Sequence, residues 1–378
     1  MAAPLPDEHV DQILLRLPPS DPGSLVRAAL VCRGWRRLLS GPAFRRRFRD
    51  FHRRSPPMLG FLYRAAPGLG PRFMPTPSFR PPFAAGRPAG WRAFDGESVP
   101  FEPVRVDLVV SHPFTGEERR ITAPQNFFGY CSWSGALLCA APGCGHLDCP
   151  PAGSFAVVFV GTDESEERTQ AYHYSSESGK WSKAATVDHP TDRMTEGRSA
   201  LVENAVYFIW EDSNGILEYD LGKQELSMIS LPPVCEDWYV AVMTAEDGGL
   251  GLAVVKDFKL HMWSREHGPN RSGWAQRRVV KLRPQGKGIR CSSAACSWAT
   301  DRGVAFDCAI STLPSSVVPF ASGDNVIFAF TRDVGVFAID VKSGRITKVS
   351  KVGAVRGIVP YICFYIPALE TAATVERP

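Results

Sequence analysis

A small helical module followed by an all-β propeller, multidomain α then all-β, is the fold class this 378-residue sequence predicts. Three observations predict it. Apolar residues recur at helical spacing only in the first fifty or so positions, whereas beyond residue 100 they fall in short apolar or alternating segments parted by Gly, Asp, Asn and Ser. Those later segments also repeat: Ala205–Asp220 aligns without gaps onto Asn325–Asp340 at an offset of 120, and Tyr174–Trp181 onto Tyr219–Leu226 at an offset of 45. A unit of about 40 to 45 residues is the scale of a four-stranded blade, and the 309 residues from Met58 to Ile366 hold about six or seven of them.

The helical elements come first. Pro6 opens a helix without losing a hydrogen bond, and behind it Val10, Ile13, Leu14 and Leu17 form one apolar stripe that Pro18-Pro19 ends. Asp21-Pro22 supplies an N-cap and a first-turn proline to a second helix, with Leu25, Val26, Ala29 and Leu30 as its inward face. Val31, Trp35 and Leu38 lie at i, i+4 and i+7 of a third; Gly41-Pro42 punctuates, and Phe44, Phe48 and Phe51 mark a last, basic helix. A helical unit of about 50 residues is marginal alone and usually completes its core on a partner.

The motifs Leu5-Pro6-Asp7-Glu8, Ile13-Leu14, Leu17-Pro18, Leu25 and Val31-Cys32-Arg33-Gly34-Trp35-Arg36-Arg37-Leu38 resemble the F-box in residue type and order, over residues 5 to about 52. Two departures stand out: the link Ser20–Ser24 is longer than the usual one, and Gly34 replaces the usual Ser before the Trp. Neither removes an apolar anchor. The resemblance implies docking onto a Skp-family adaptor, and through it a cullin in a ubiquitin ligase. In that mode Leu5, Pro6, Ile13, Leu14, Leu17, Pro18, Leu25, Val31, Cys32, Trp35 and Leu38 divide between the small core and the adaptor groove, a helix-in-groove association. The alternative is a helical cap packed on its own second domain.

Composition bounds the rest. With 44% hydrophobic and 22% charged residues the chain is ordinary globular material, enough for two domains. No apolar run reaches the roughly 18 residues of a membrane span, and Met1-Ala2-Ala3-Pro4 leads into the motif without a signal-peptide core, so a cytoplasmic or nuclear location and no membrane partner are expected. Ten irregularly spaced cysteines are then expected to be reduced. Residues 1–54 hold 11 Lys and Arg against 5 Asp and Glu, leaving 32 against 34 for the remainder, so the basic excess is placed in the first segment. Arg45, Arg46, Arg47, Arg49, Arg53 and Arg54 surround the phenylalanine stripe. Nuclear targeting and a nucleic-acid footprint are the functional readings; a solvated helix face is preferred, with no nucleic-acid partner.

The domain limits follow as 1–54 for the helical F-box, 55–100 for a linker and possible first propeller strand, 101–367 for the propeller and 368–378 for a tail. Ten prolines and six glycines fall between residues 55 and 100, yet Met58–Tyr63 is short, apolar and Pro/Gly-bounded like a strand. Sixteen strands are expected beyond it, among them Gly303–Cys308. Gly357–Tyr365 is expected to pair with the strand near Leu59 and close the ring, which removes an exposed edge. The repeat resembles the kelch-like propellers that follow the F-box in a large plant family.

Chemistry is sparse. No Walker loop, His-Glu-x-x-His, Gly-x-Ser-x-Gly or Cys-x-x-Cys motif is present, so catalytic residues, cofactors and metal are each expected to be none. Cys139, Cys144, His146 and Cys149 are the best zinc candidates, but a loop with incidental thiols is the preferred reading. Eight tryptophans after residue 90 are read as mostly blade core, and Asp163–Arg168 as a solvated hairpin tip. The expected function is the substrate-recognition subunit of a Skp-cullin-F-box ligase that recruits an unknown protein substrate by proximity. The alternative is an adaptor-binding protein acting outside a ligase. An enzyme is disfavoured by the missing catalytic constellation.

Overall fold

The computed structural model describes residues 7–18, 21–52, 58–64, 72–75, 92–93, 107–111, 118–124, 132–141, 153–163, 167–182, 185–188, 194–210, 215–235, 240–256, 259–266, 273–284, 316–319, 326–331, 335–350 and 356–362. Four short helices come first: α1 (Asp7–Leu15), α2 (Pro22–Ala29), α3 (Arg33–Ser40) and α4 (Pro42–Phe51). Pro22 and Pro42 each sit in a first turn, where the missing N–H costs nothing. Every described element after α4, apart from a 3₁₀ turn at Pro233–Cys235, is a strand.

The strands form six sheets among the described residues. In the first, β1 (Met58–Arg64) lies between β2 (Arg72–Pro75) and β24 (Arg356–Ile362). The second holds β3 (Arg92–Ala93), β4 (Asp107–Ser111) and β5 (Glu118–Thr122). The third holds β6 (Ser132–Cys139), β7 (Phe155–Asp163) and β8 (Arg168–Ser175), with β9 (Lys180–Trp181) and β10 (Ala185–Asp188) both paired to β8. The fourth runs in chain order: β11 (Met194–Val202), β12 (Ala205–Trp210), β13 (Gly215–Asp220) and β14 (Glu225–Ser230). So does the fifth: β15 (Val240–Thr244), β16 (Leu250–Lys256), β17 (Lys259–Arg265) and β18 (Trp274–Lys281). In the sixth, β20 (Ser316–Pro319), β21 (Val326–Thr331), β22 (Gly335–Asp340) and β23 (Arg345–Ser350) follow in order, and β19 (Arg283–Pro284) runs parallel to the β23 edge.

Side-chain alternation explains why such sheets stack around a ring. Successive residues of a strand face opposite sides, and all six residues of β12 are buried. Val206, Phe208 and Trp210 pack with Val158, Val160 and Ala171 of the third sheet. Ala205, Tyr207 and Ile209 pack with Val240, Val242, Leu252 and Val254 of the fifth. Two more shared cores repeat this arrangement, one between the second and third sheets around Leu108, Ile121, Val157 and Phe159, the other between the fifth and sixth around Leu260, Phe337 and Ile339. The third, fourth and fifth sheets thus each bury both faces against neighbours, as the blades of a propeller do.

Closure comes from both ends of the chain. β24 pairs antiparallel with β1, with Phe61 opposite Pro360 and Leu62 opposite Val359, so the expected ring closure is present. Gly60 on β1 has no room for a side chain, because an added Cβ would stand 2.3 Å from the Met74 carbonyl and 2.5 Å from the Phe73 ring.

The sequence repeats are repeats of position. Ala205–Asp220 and Asn325–Asp340 cover the second and third strands of the fourth and sixth sheets. At the turn into each next strand, Gly179 N–H donates to Ser175 O, Gln224 N–H to Asp220 O and Gly344 N–H to Asp340 O, all at 2.8 Å. The donors have φ of 66°, 56° and 69°. Offsets of 45 and 120 therefore mark one recurring turn. Most expected strands fall within a few residues of observed ones, while Gly303–Cys308 lies outside the described residues. Missed were β2, β3, β5, β9, β10, β14, β19 and β23, short or polar strands such as Glu-Leu-Ser-Met-Ile-Ser, which carry little apolar signal because one side faces water.

Candidate functional site

Eight side chains make the helical core: Val10, Leu14, Leu25, Ala28, Ala29, Leu39, Phe44 and Phe48. Polar contacts then fix the helices. Arg47 of α4 grips Asp11 of α1 with two hydrogen bonds of 2.6 and 2.7 Å, the carboxylate side chain only 7% exposed. His52 Nε2–H donates to the Leu15 carbonyl at 2.8 Å while its ring lies 4.4 Å from that of Phe48. Asp21 is the α2 N-cap by position, but its carboxylate accepts from the Ser24 hydroxyl and, at 2.8 Å, from Arg27 instead of a backbone N–H. The Ser24 hydrogen bond first, and the Arg27 charge after it, hold the Asp21 carboxyl below its ordinary value.

What the core leaves out defines the candidate surface. Ile13 is 47% exposed, Leu30 77%, Val31 64% and Phe51 53%. These are four of the eight exposed large apolar side chains in the described chain, and all belong to the four-helix unit. Cys32 and Pro18 are also exposed, while Leu17, Trp35 and Leu38 are half-buried against the core. Cys32 caps α3, its Sγ accepting the Trp35 backbone N–H at 3.5 Å, so Leu30-Val31-Cys32 is held as an uncovered corner between α2 and α3.

Of the eleven residues expected to bind an adaptor, Leu5 and Pro6 lie outside the described residues. Leu14 and Leu25 point inward and support the surface from beneath. Ile13, Pro18, Val31 and Cys32 are on the outside, and Leu17, Trp35 and Leu38 straddle the two. Three details differ from expectation. Leu30 was read as inward, but α2 ends at Ala29 and the side chain turns to solvent; three consecutive residues, 30 to 32, cannot share one helix face. Val31 precedes α3 instead of opening it, and Leu39, 1% exposed, takes the core place its spacing suggested for Val31. Phe51 of the phenylalanine stripe is exposed although Phe44 and Phe48 are buried.

The basic helix is not simply a solvated face. Arg47 holds Asp11 and Arg45 donates to the Ser40 carbonyl at 3.0 Å, whereas Arg46 is exposed. Arg53 and Arg54, and the Arg49 side chain, lie outside the described residues. On the propeller, the five described tryptophans all join shared cores: Trp133 and Trp181 between the second and third sheets, Trp210 between the third and fourth, Trp263 and Trp274 between the fourth and fifth. Two of them also clip neighbours together, Trp181 Nε1–H donating to Thr122 O and Trp274 Nε1–H to Ser230 O, each at 2.8 Å. Asp163 and Arg168 stand opposite each other at the β7–β8 hairpin end. Of the zinc candidates only Cys139 is described, half-buried at the end of β6; Cys144, His146 and Cys149 fall outside. No group of metal-holding side chains occurs among the described residues, and no described helix is long and apolar enough to cross a membrane.

Comparison with known proteins bears on both parts. Residues 3–50 match the F-box-like family model, and residues 106–369 match that of the F-box protein AT5G49610-like β-propeller. No curated protein matches the chain. Among solved structures, a nidogen/laminin complex is similar at 11% identity and a TM-score of 0.34, over 67% of this chain and 76% of that one. A functionally unknown protein from Desulfotomaculum acetoxidans is similar at 8% identity and a TM-score of 0.39, over 81% of this chain and 84% of that one.

Proposed function

The chain belongs to the F-box protein AT5G49610-like β-propeller family, and from that premise we propose that it is a substrate-recognition subunit of a Skp-cullin-F-box ubiquitin ligase. The helical unit docks on a Skp-family adaptor, and the propeller holds a protein substrate. No chemistry of its own is required. Tethering raises the effective concentration of substrate lysines near the ubiquitin donor, and the rate gain comes from that proximity.

The observation that carries this reading is the uncovered apolar corner Leu30-Val31-Cys32, together with exposed Ile13, on a unit whose own core is already closed. Such side chains gain roughly 1.5 to 3 kcal/mol each when a partner buries them fully. They suit a helix-in-groove partner.

Co-purification of the full chain with a Skp-family adaptor and a cullin tests it, with Ile13→Asp/Val31→Asp as the variant. Both positions are exposed, so the fold should survive. Losing two anchors of about 2 kcal/mol each predicts several hundred-fold weaker adaptor binding with an unchanged melting temperature. Wild-type chain that fails to bind the adaptor overturns the reading. Adaptor binding without cullin recruitment overturns the ligase and leaves an adaptor-binding protein.

A further inference from the structure

The basic excess is not confined to the first 54 residues. Residues 256–290 hold ten Lys and Arg against two Asp and Glu, a net +8, so the rest of the chain beyond residue 54 carries −10. The strands place Lys259, Lys281 and Arg283 of this segment where the fifth and sixth sheets meet. Lys259 stands opposite Lys281 in the β17–β18 ladder, and Arg283 stands opposite Arg345 in the β19–β23 ladder. Like charges directly opposite one another are destabilising. The two ladders are also in contact, since the Gly344 backbone packs on Lys281 so closely that a Cβ would come within 2.1 Å of its carbonyl. Lys342 and Arg345 flank that glycine.

Lys259, Lys281, Lys342 and Arg345 are all exposed, and none forms an ion pair among the described residues. The contrast with the same strand is informative. Arg277 and Arg278 of β18 have carboxylate partners, Glu266 at 3.7 Å and Glu246 at 3.6 Å. Beside them Val279 is 48% exposed, which adds an apolar contact to the charged row.

We propose that this junction of the fifth and sixth sheets is a docking surface for an acidic, Asp- and Glu-rich segment of the recruited protein, a proposal that rests on the substrate-recruiting function above. Three of the four exposed cations are lysines, point charges spaced along two ladders. That arrangement suits several separate carboxylates, whereas one phosphate is better held by a converging arginine fork. Single-stranded nucleic acid would need exposed aromatic platforms, and none of the propeller aromatic side chains whose burial is described is exposed.

The test is fluorescence anisotropy of a labelled twelve-residue Glu/Asp peptide with the full-length chain, at low and physiological salt. The expected result is saturable, salt-weakened binding that falls at least ten-fold in Lys259→Glu/Lys281→Glu and again in Lys342→Glu/Arg345→Glu. An equally charge-changed control, Arg120→Glu/Lys180→Glu on the second and third sheets, should bind as wild type. Thermal melts of Lys342→Glu/Arg345→Glu should match wild type or rise, because Arg283 then faces an opposite charge across the ladder, whereas Lys259→Glu/Lys281→Glu exchanges one like-charge pair for another and should melt as wild type. No peptide binding by wild type, equal loss in the control, or tighter binding of a phosphoserine peptide or an oligonucleotide of equal length would each overturn the proposal. Adaptor co-purification of the same variants separates the two ideas, since failure at this surface leaves adaptor binding intact.

Discussion

The helical unit and the propeller use apolar residues in opposite ways. The propeller shares each core between adjacent sheets, so nearly every large apolar side chain of a strand such as β12 finds a neighbour on one side or the other. The helical unit has one small core of eight side chains and leaves Ile13, Leu30, Val31 and Phe51 uncovered. The first arrangement satisfies itself by closure; the second is satisfied only by a partner. Substitutions should expose that difference most strongly where the side chains are largest. Phe208→Ala, at a site 0% exposed between two sheets, is expected to cost about 3 to 5 kcal/mol in chemical denaturation, whereas Leu30→Ala should change stability by no more than about 0.5 kcal/mol while weakening adaptor binding. A large stability loss at Leu30 would mean that the corner belongs to the fold and not to a partner.

Backbone contacts between sheets come next. Gly344 combines φ of 69° with a carbonyl that an added Cβ would meet at 2.1 Å, so Gly344→Ala must both strain the turn and push the fifth and sixth sheets apart. About 2 to 4 kcal/mol is expected, with cooperative loss across the propeller and the helical unit unaffected. The matching element of the helical unit is the Arg47–Asp11 bridge. Arg47→Ala strands a carboxylate that is only 7% exposed and should cost about 2 kcal/mol, while Arg46→Ala, on an exposed side chain, should cost almost nothing. Domain-resolved hydrogen exchange distinguishes the two losses.

Much of this architecture was legible because the signals were periodic. Helical spacing marked all four helices, and the Ala205–Asp220 repeat marked the second and third strands of two sheets; in the fourth sheet these strands are buried almost throughout and read as apolar runs. Outer strands were not legible for the same physical reason inverted: Glu225–Ser230 faces water on one side, so polar residues interrupt it. At the candidate site, motif order named Ile13, Val31 and Cys32, which are exposed, and Trp35, which is half-buried, but spacing assigned Leu30 inward, because spacing alone does not say where a helix ends. The paired carboxylate under Arg47 was invisible too, since the partners are 36 residues apart. The second basic surface was hidden by summing charge over too long a segment.

The smallest expected effect concerns the turn that underlies the repeat. In the third and sixth sheets the residue with positive φ is glycine, Gly179 and Gly344, but in the fourth it is Gln224 at φ 56°. A side chain in the left-handed region costs roughly 1 to 2 kcal/mol relative to right-handed backbone. The rest of that turn is well made: Asp220 Oδ1 accepts from the backbone N–H groups of Gly222 and Lys223, each at 2.9 Å, and those bonds, that from Lys223 foremost, hold its carboxyl below the ordinary value. Gln224→Gly keeps the Gln224-to-Asp220 backbone bond, releases the strain and gives back part of the gain through the greater freedom of glycine in the unfolded chain. A net stabilisation of about 0.5 kcal/mol is expected, read as a raised denaturation midpoint at unchanged slope. Destabilisation would instead mean that the glutamine side chain makes a contact worth more than the strain, and that the three turns are alike in backbone but not in energy.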